Sequence, residues 1–463
     1  MLIKFTVSNF LSFNEPEEFS MEAGKARKYS KRIYNVRNTK LTKCKMILGA
    51  NASGKSNLIE ACQFIQDMIS NGFPTGFSNK FFRQKEENRE SPSKFEIEII
   101  CDKKRFCYGF TIVLNTGNIQ KEWLYELTTS GGEKYLFRRD TSNEFFEVGD
   151  FFKNKDAIMK LNNYGEDISG DHEVLFLNII NKNKVKMFKD FPELNFLREI
   201  YRWFTRRLNI SFPTSMLTGY PYFTDSNLDE IADILNALGT GISDLKIVEI
   251  PVELVKNKIP EDIYNKIITD LEKSNARAKT ESSYHNPSIV VRSYKEFYTF
   301  NIDRDDRITI RTIEFCHENK SVYFKLNEES DGTARLLDLI ELLFRVSDNQ
   351  IFIIDEIDRC LHPVMTVKII EIFLKMAEKR NTQLIITSHE SRLLAAEILR
   401  NDEICFVIKD STGATVINPL EKYQLRADKK IYAALFDGTL DAVPHFEENK
   451  LNKLIDTECK SER

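Results

Sequence analysis

No stretch of this 463-residue chain reaches the roughly 18 consecutive apolar residues that cross a bilayer, so no membrane partner is expected. Its eight cysteines include no C-x-x-C pair, which argues against a disulfide framework or a zinc cluster and for reduced thiols in a cytoplasmic protein. Neither sign of charge dominates. Lys and Arg number 66 against 70 Asp and Glu, for a net charge of −4, so any nucleic-acid contact must come from a local patch. There is no internal repeat, no H-E-x-x-H or H-x-x-E-H, and no G-x-S-x-G. Metalloprotease and serine-hydrolase chemistry are therefore not expected.

What is there begins with Met46-Ile47-Leu48-Gly49-Ala50-Asn51-Ala52-Ser53-Gly54-Lys55-Ser56-Asn57, an apolar strand, a Gly-x-x-x-x-Gly-Lys-Ser loop and the start of a helix. Gly49 and Gly54 let the loop curl so that successive N–H groups of Asn51, Ala52, Ser53 and Gly54 face one point and cradle phosphate oxygens. Lys55 reaches the outer phosphates, and the Ser56 hydroxyl is a ligand for Mg²⁺. The cofactors expected are ATP and Mg²⁺.

Upstream, residues 2–13 alternate as a half-buried strand does, and residues 24–40 form a basic loop with Lys25, Arg27, Lys28, Lys31, Arg32, Arg37 and Lys40. Residues 95–148 read as an antiparallel β-meander, residues 150–282 as mainly helical, and 273–288 as a polar, mobile segment. Strands follow near 289–300, 308–316 and 321–326, then a helix over 331–345. The apolar run Ile351–Ile354 suits a parallel strand buried on both faces, followed by helix 363–380, strand 383–387, helix 391–400 and strand 404–408.

At the carboxyl end of the 351–354 strand stand Asp355 and Glu356, where such a sheet presents its chemistry. Asp355 suits Mg²⁺, and Glu356 suits orienting an attacking water. Asp358 follows two residues on, and His389 ends the next strand, placed to sense a γ-phosphate. Ser330, Gly332 and Thr333 precede a helix, where a hydroxyl cap and an open helix N-terminus attract an anion.

With Asn9–Phe13, Gly49–Asn57, Ser330–Arg335, Ile353–Pro363 and Thr387–His389 in view, the chain resembles the ABC-type ATPases of the RecF, SMC and Rad50 group. Within that group it is similar to the ATP-binding proteins of phage-defence operons: RloA-like, abortive-infection, Septu-type and PARIS-type. The resemblance makes Gly49–Ser56 the Walker A motif, Ser330-x-Gly332-Thr333 the signature, Asp355-Glu356 Walker B, Asp358 the D-loop and His389 the switch histidine. Gln84 is the candidate Q-loop glutamine. The signature reads Ser-Asp-Gly-Thr, a departure from the transporter-like Leu-Ser-Gly-Gly-Gln.

The fold implied is an α/β ABC-ATPase head, a mixed sheet with Walker motifs plus an antiparallel β-meander, interrupted by a mainly helical insert. Expected divisions are 1–150 and 289–410 for the head, 151–288 for the insert in place of the coiled coil found elsewhere in the group, and 411–463 for a tail. The acidic tail residues Asp437, Asp441, Glu447 and Glu448 suit a solvated surface better than a nuclease site. The activity implied is slow ATP hydrolysis by a head-to-tail homodimer, each ATP lying between Lys55 and Ser56 of one copy and Ser330, Gly332 and Thr333 of the other. Such a clamp would control a separate effector, such as a nuclease. A DNA-repair ATPase that binds DNA directly is the alternative, and a non-hydrolysing scaffold a third.

Overall fold

A computed structural model describes residues 1–440 apart from Arg27, 129–130, 214–226, 281–285, 294–295, 319–320, 341, 343–347, 424–430 and 437–439. The four acidic tail residues and part of the polar 273–288 segment lie outside these described residues. The chain forms two compact units, Met1–Leu208 with Gln383–Arg463, and Asn209–Thr382.

The first unit opens with β1 (Leu2–Ser8), β2 (Glu17–Ser20), the hairpin β3 (Ile33–Val36) and β4 (Thr39–Thr42), the fully buried β5 (Cys44–Leu48), and helix α1 (Lys55–Ser70). The meander follows as β6 (Ser93–Cys101), β7 (Lys104–Val113), β8 (Asn118–Leu127), β9 (Glu133–Asp140) and β10 (Phe145–Val148). It joins β1 and β2 in a seven-stranded antiparallel sheet of order β10-β9-β8-β7-β6-β1-β2. Phenylalanine fastens α1 to this sheet. The Phe64 ring of α1 lies 4.7 Å from Phe95 of β6, and Phe95 lies 5.2 Å from Phe10 and 5.4 Å from Phe110. Burying rings of this size supplies a large share of the core's hydrophobic stabilisation.

Four short helices come next: α2 (Lys155–Glu166), α3 (Phe176–Asn181), α4 (Val185–Asp190) and α5 (Asn195–Arg202). A buried charge anchors α3 to the meander. The Glu122 carboxylate accepts from the N–H of Phe176 (2.6 Å) and Leu177 (3.0 Å) and from the Tyr108 hydroxyl (3.0 Å), with Arg139 3.7 Å away. Burial raises the Glu122 pKa, while Arg139 and the two backbone donors oppose that rise.

In the second unit, strand β11 (Leu208–Ser211) enters from the first, followed by α6 (Leu228–Ala237), β12 (Asp244–Ile250), α7 (Val252–Lys256) and α8 (Glu261–Ala278). Then come β13 (Ser288–Ser293), β14 (Glu296–Ile302), β15 (Ile308–Cys316), β16 (Tyr323–Lys325), α9 (Asp331–Leu339), β17 (Ile351–Ile354) and α10 (Pro363–Ala377). A single strand over 289–300 was expected, but two antiparallel ones stand there, in register from Ser288↔Asn301 to Ser293↔Glu296. The region expected to be mainly helical also holds the strands β11 and β12. β12 pairs along its whole length with β15, Asp244↔Cys316 to Ile250↔Ile310, so its second half is built into a sheet with later residues. A short, alternating Asp-Leu-Lys-Ile-Val-Glu-Ile run gives little local signal of so distant a partner.

The chain returns to the first unit through β18 (Gln383–Ser388), β19 (Ile404–Lys409), β20 (Thr415–Pro419) and α11 (Ile431–Phe436). β18 and β19 flank β5 in parallel, and β20 runs antiparallel to β19. Residues 391–400, expected as a helix, form only a 3₁₀ turn over Ser391–Ala396. Glu397 closes it in the left-handed region (φ 50°), and its carbonyl accepts from Lys28 Nζ and Tyr29 Oη. The buried Gln383 amide clasps Leu2, accepting from its N–H at 2.7 Å and donating to its carbonyl at 2.9 Å.

Candidate functional site

The first unit carries the glycine loop between β5 and α1. Ala52 (φ 60°) and Gly54 (φ 111°) both lie in the left-handed region, as a loop that curls its N–H groups inward requires. A Cβ at Gly54 would lie 2.2 Å from Thr415 Oγ1 and 2.8 Å from Ser12 Oγ, so only glycine fits. Lys55 is buried, yet its ammonium donates to the carbonyls of Gly49 (2.8 Å) and Ala50 (3.0 Å) and lies 3.2 Å from His389 Nδ1. Ser56, at the first turn of α1, is exposed, as are Asn51, Ala52 and His389. The loop residues, Lys55 and His389 thus meet at the carboxyl ends of β5 and β18.

Two hydroxyls brace the loop from behind. Thr415 Oγ1 donates to the Ser53 carbonyl at 2.8 Å and lies 2.7 Å from Ser12 Oγ, which in turn accepts from Asn57 Nδ2 at 2.7 Å. Lys409 Nζ donates to Thr415 Oγ1 at 3.1 Å, and burial lowers the Lys409 pKa. Ser12 lies inside the Asn9–Phe13 motif, but nothing in the sequence assigned it a partner. Thr415 carries no local signal, because its role depends on where β20 sits. Gln84 is exposed and lies beside the turn between β19 and β20; a Cβ at Gly413 would meet its Nε2 at 2.7 Å.

The second unit carries the acidic strand end and the capped helix. Asp355 is 2% exposed, and its N–H donates to the Ser211 carbonyl at 2.8 Å. Glu356 follows with φ 47°, a left-handed conformation that costs a residue with a Cβ about 1 kcal/mol or more. Asp358 is half-buried, and its Oδ1 has no hydrogen-bond partner among the described residues. Ser330 caps α9. Its hydroxyl accepts from the Thr333 N–H at 3.0 Å and lies 2.8 Å from Thr333 Oγ1. Gly332 runs close to the turn after Asp358, where a Cβ would lie 3.0 Å from the Cys360 carbonyl. Ser330, Gly332 and Thr333 therefore gather at one helix end, beside the turn that follows Asp355, Glu356 and Asp358.

A hydroxyl such as Ser56 and a carboxylate such as Asp355 are hard oxygen donors of the kind Mg²⁺ takes. Among the described residues there is no cluster of three or more His, Cys, Asp or Glu that could hold a metal by itself.

A family model described as "AAA domain, putative AbiEii toxin, Type IV TA system" matches residues 46–395. The chain belongs to this family. Membership makes it an ATPase-class protein with a nucleotide-binding domain, and the match runs from the glycine loop past His389. No curated protein matches this AAA-domain chain in sequence. Solved structures similar to it include an SMC head bound to the C-terminal winged-helix domain of ScpA, at 14% identity, 90% of this chain, 96% of the other and a TM-score of 0.41. Two others are the SMC head domain of Thermotoga maritima (14% identity, 90% and 98% covered, TM-score 0.33) and a Pyrococcus furiosus Smc head with extended coiled coil bound to a ScpA domain (15%, 91% and 97%, 0.36). The α/β architecture rests on the strand order and the glycine loop, since these scores lie below 0.5. No helix among the described residues is long and apolar enough to cross a membrane.

Proposed function

We propose that this AAA-domain protein is an ABC-type ATP hydrolase that works as an ATP-gated clamp, the sensor subunit of an anti-phage system that holds and releases a separate effector such as a nuclease. The observation that carries the reading is the Lys55 ammonium, gathered by the Gly49 and Ala50 carbonyls and facing His389 Nδ1 across 3.2 Å at the ends of parallel strands. An anion arriving there would draw that ammonium off its carbonyls and meet the N–H groups of Asn51–Gly54, of which that of Ser53 donates to the Ala50 carbonyl at 3.2 Å.

In this reading Ser56 and Asp355 hold Mg²⁺, which supplies charge neutralisation on the phosphates when bound. Glu356 orients and polarises the attacking water, His389 donates to the γ-phosphate, Asp358 serves as the D-loop residue and Gln84 as the Q-loop glutamine. Ser330, Gly332 and Thr333 serve the ATP of a second copy, with the α9 N-terminus adding partial positive charge. ATP then bridges two protein surfaces, and its hydrolysis removes the bridge, which shifts the equilibrium by the difference in affinity and no more. The family description, with its toxin and TA system, supports the defence context.

Glu356→Gln should bind ATP and accumulate as a dimer, seen by light scattering with ATP, while its turnover falls at least about a hundredfold. Unchanged turnover in that variant would contradict the assignment. Exposed Lys25, Lys28, Lys31, Arg37 and Lys40 favour a second reading, direct DNA binding, which requires ATP-dependent affinity that falls steeply with salt.

A further inference from the structure

Helix α9 carries a cation that the nucleotide reading does not use. Arg335 is 4% exposed, and a guanidinium so buried must be held by acceptors. Its Nη2 donates to the carbonyl of Asp355 at 3.3 Å and to that of Glu356 at 3.4 Å. Those two oxygens belong to the two peptide planes on either side of the Glu356 Cα. The orientation of those planes defines φ and ψ of Glu356, the residue held at φ 47°. One guanidinium nitrogen therefore grips both handles that set the direction of the Glu356 side chain.

The same helix begins at the Ser330 cap and touches the following turn at Gly332, where a Cβ would come within 3.0 Å of the Cys360 carbonyl. A short helix held at both points moves with the turn rather than past it. We propose that Arg335 is a positioning residue for Glu356: it clamps the flanking peptides and so makes the aim of that carboxylate depend on where α9 stands. This rests on the reading of Glu356 as the group that orients water. Anything that docks on the Ser330 end of α9 is thereby felt at Glu356.

The test is steady-state ATPase kinetics on full-length wild type, Arg335→Gln and Arg335→Lys, with nucleotide affinity measured separately on each. Losing the aim of one catalytic group costs about tenfold or more in rate, so Arg335→Gln should lower kcat by about that factor and leave ATP affinity within about twofold. Arg335→Lys keeps a cation but loses the fixed planar fork and should fall in between, about threefold below wild type. If Arg335→Gln does not fold, Arg335→Lys decides alone. Wild-type kcat in Arg335→Lys would then overturn the inference. Wild-type kcat in both variants would overturn it as well, as would losses of affinity and kcat that run in parallel and are equal for Gln and Lys, since those mark a merely structural arginine. An inactive wild type would instead overturn the hydrolase reading underneath.

Discussion

The ammonium of Lys55 stands 3.2 Å from Nδ1 of His389, two side chains 334 residues apart in the chain. An ammonium only donates, so Nδ1 accepts and the ring proton sits on Nε2. In that tautomer the Nε2–H is a donor. His389→Ala should leave ATP binding within about threefold of wild type and lower turnover by about ten- to a hundredfold. Titration calorimetry beside an ATPase assay checks it, and equal loss of both would make His389 a binding residue.

Thr415 braces the glycine loop through the Ser53 carbonyl and Ser12 Oγ. Thr415→Val keeps the shape and removes the hydroxyl, leaving a buried carbonyl short of a donor at a cost of about 1–3 kcal/mol. Denaturant unfolding should show a loss in that range, and ATP affinity should weaken as the loop loses its support. A variant with wild-type stability and affinity would show the brace to be idle.

How far the sequence carries can be read from these residues. The glycine loop, Asp355-Glu356 and the Ser330 cap were legible because each is local: a strand, a turn and a helix adjacent in sequence. The meander was legible because alternation repeats over residues 93–148. Thr415, Ser12 and Arg335 were not, because each acts on backbone brought close only by the fold. β12 hid for the same reason, its partner β15 lying some sixty residues on. Residues 391–400 misled because apolar spacing suited a helix, whereas the Glu397 carbonyl is tied to Lys28 and Tyr29.

Burial sets a pH dependence at Glu403. Its side chain has no solvent exposure, Oε2 accepts from the Arg400 N–H at 2.8 Å, Oε1 has no partner among the described residues, and desolvation raises its pKa from 4.5 to about 7. Arg32 and Arg400 oppose that rise, and Asp402 adds to it. The native state binds this proton more tightly than the unfolded chain does, so the contribution is full below pH 4.5 and is lost as pH climbs to about 7. The loss is on the order of 3 kcal/mol by pH 8. Glu403→Gln should flatten that part of the stability curve in denaturant titrations at a series of pH values. A slope identical to wild type would assign the dependence elsewhere.

The central claim is that two copies of the chain complete each nucleotide site, and mixing two crippled variants tests it most directly. Lys55→Ala removes the phosphate lysine, Ser330→Arg blocks the capped helix end, and each alone should be inactive. In a one-to-one mixture about half the dimers are mixed, each with one whole site, so ATPase activity should recover to as much as about a quarter of wild type. A mixture no more active than its separate components, beside an active wild type, would contradict the shared site and the clamp built on it.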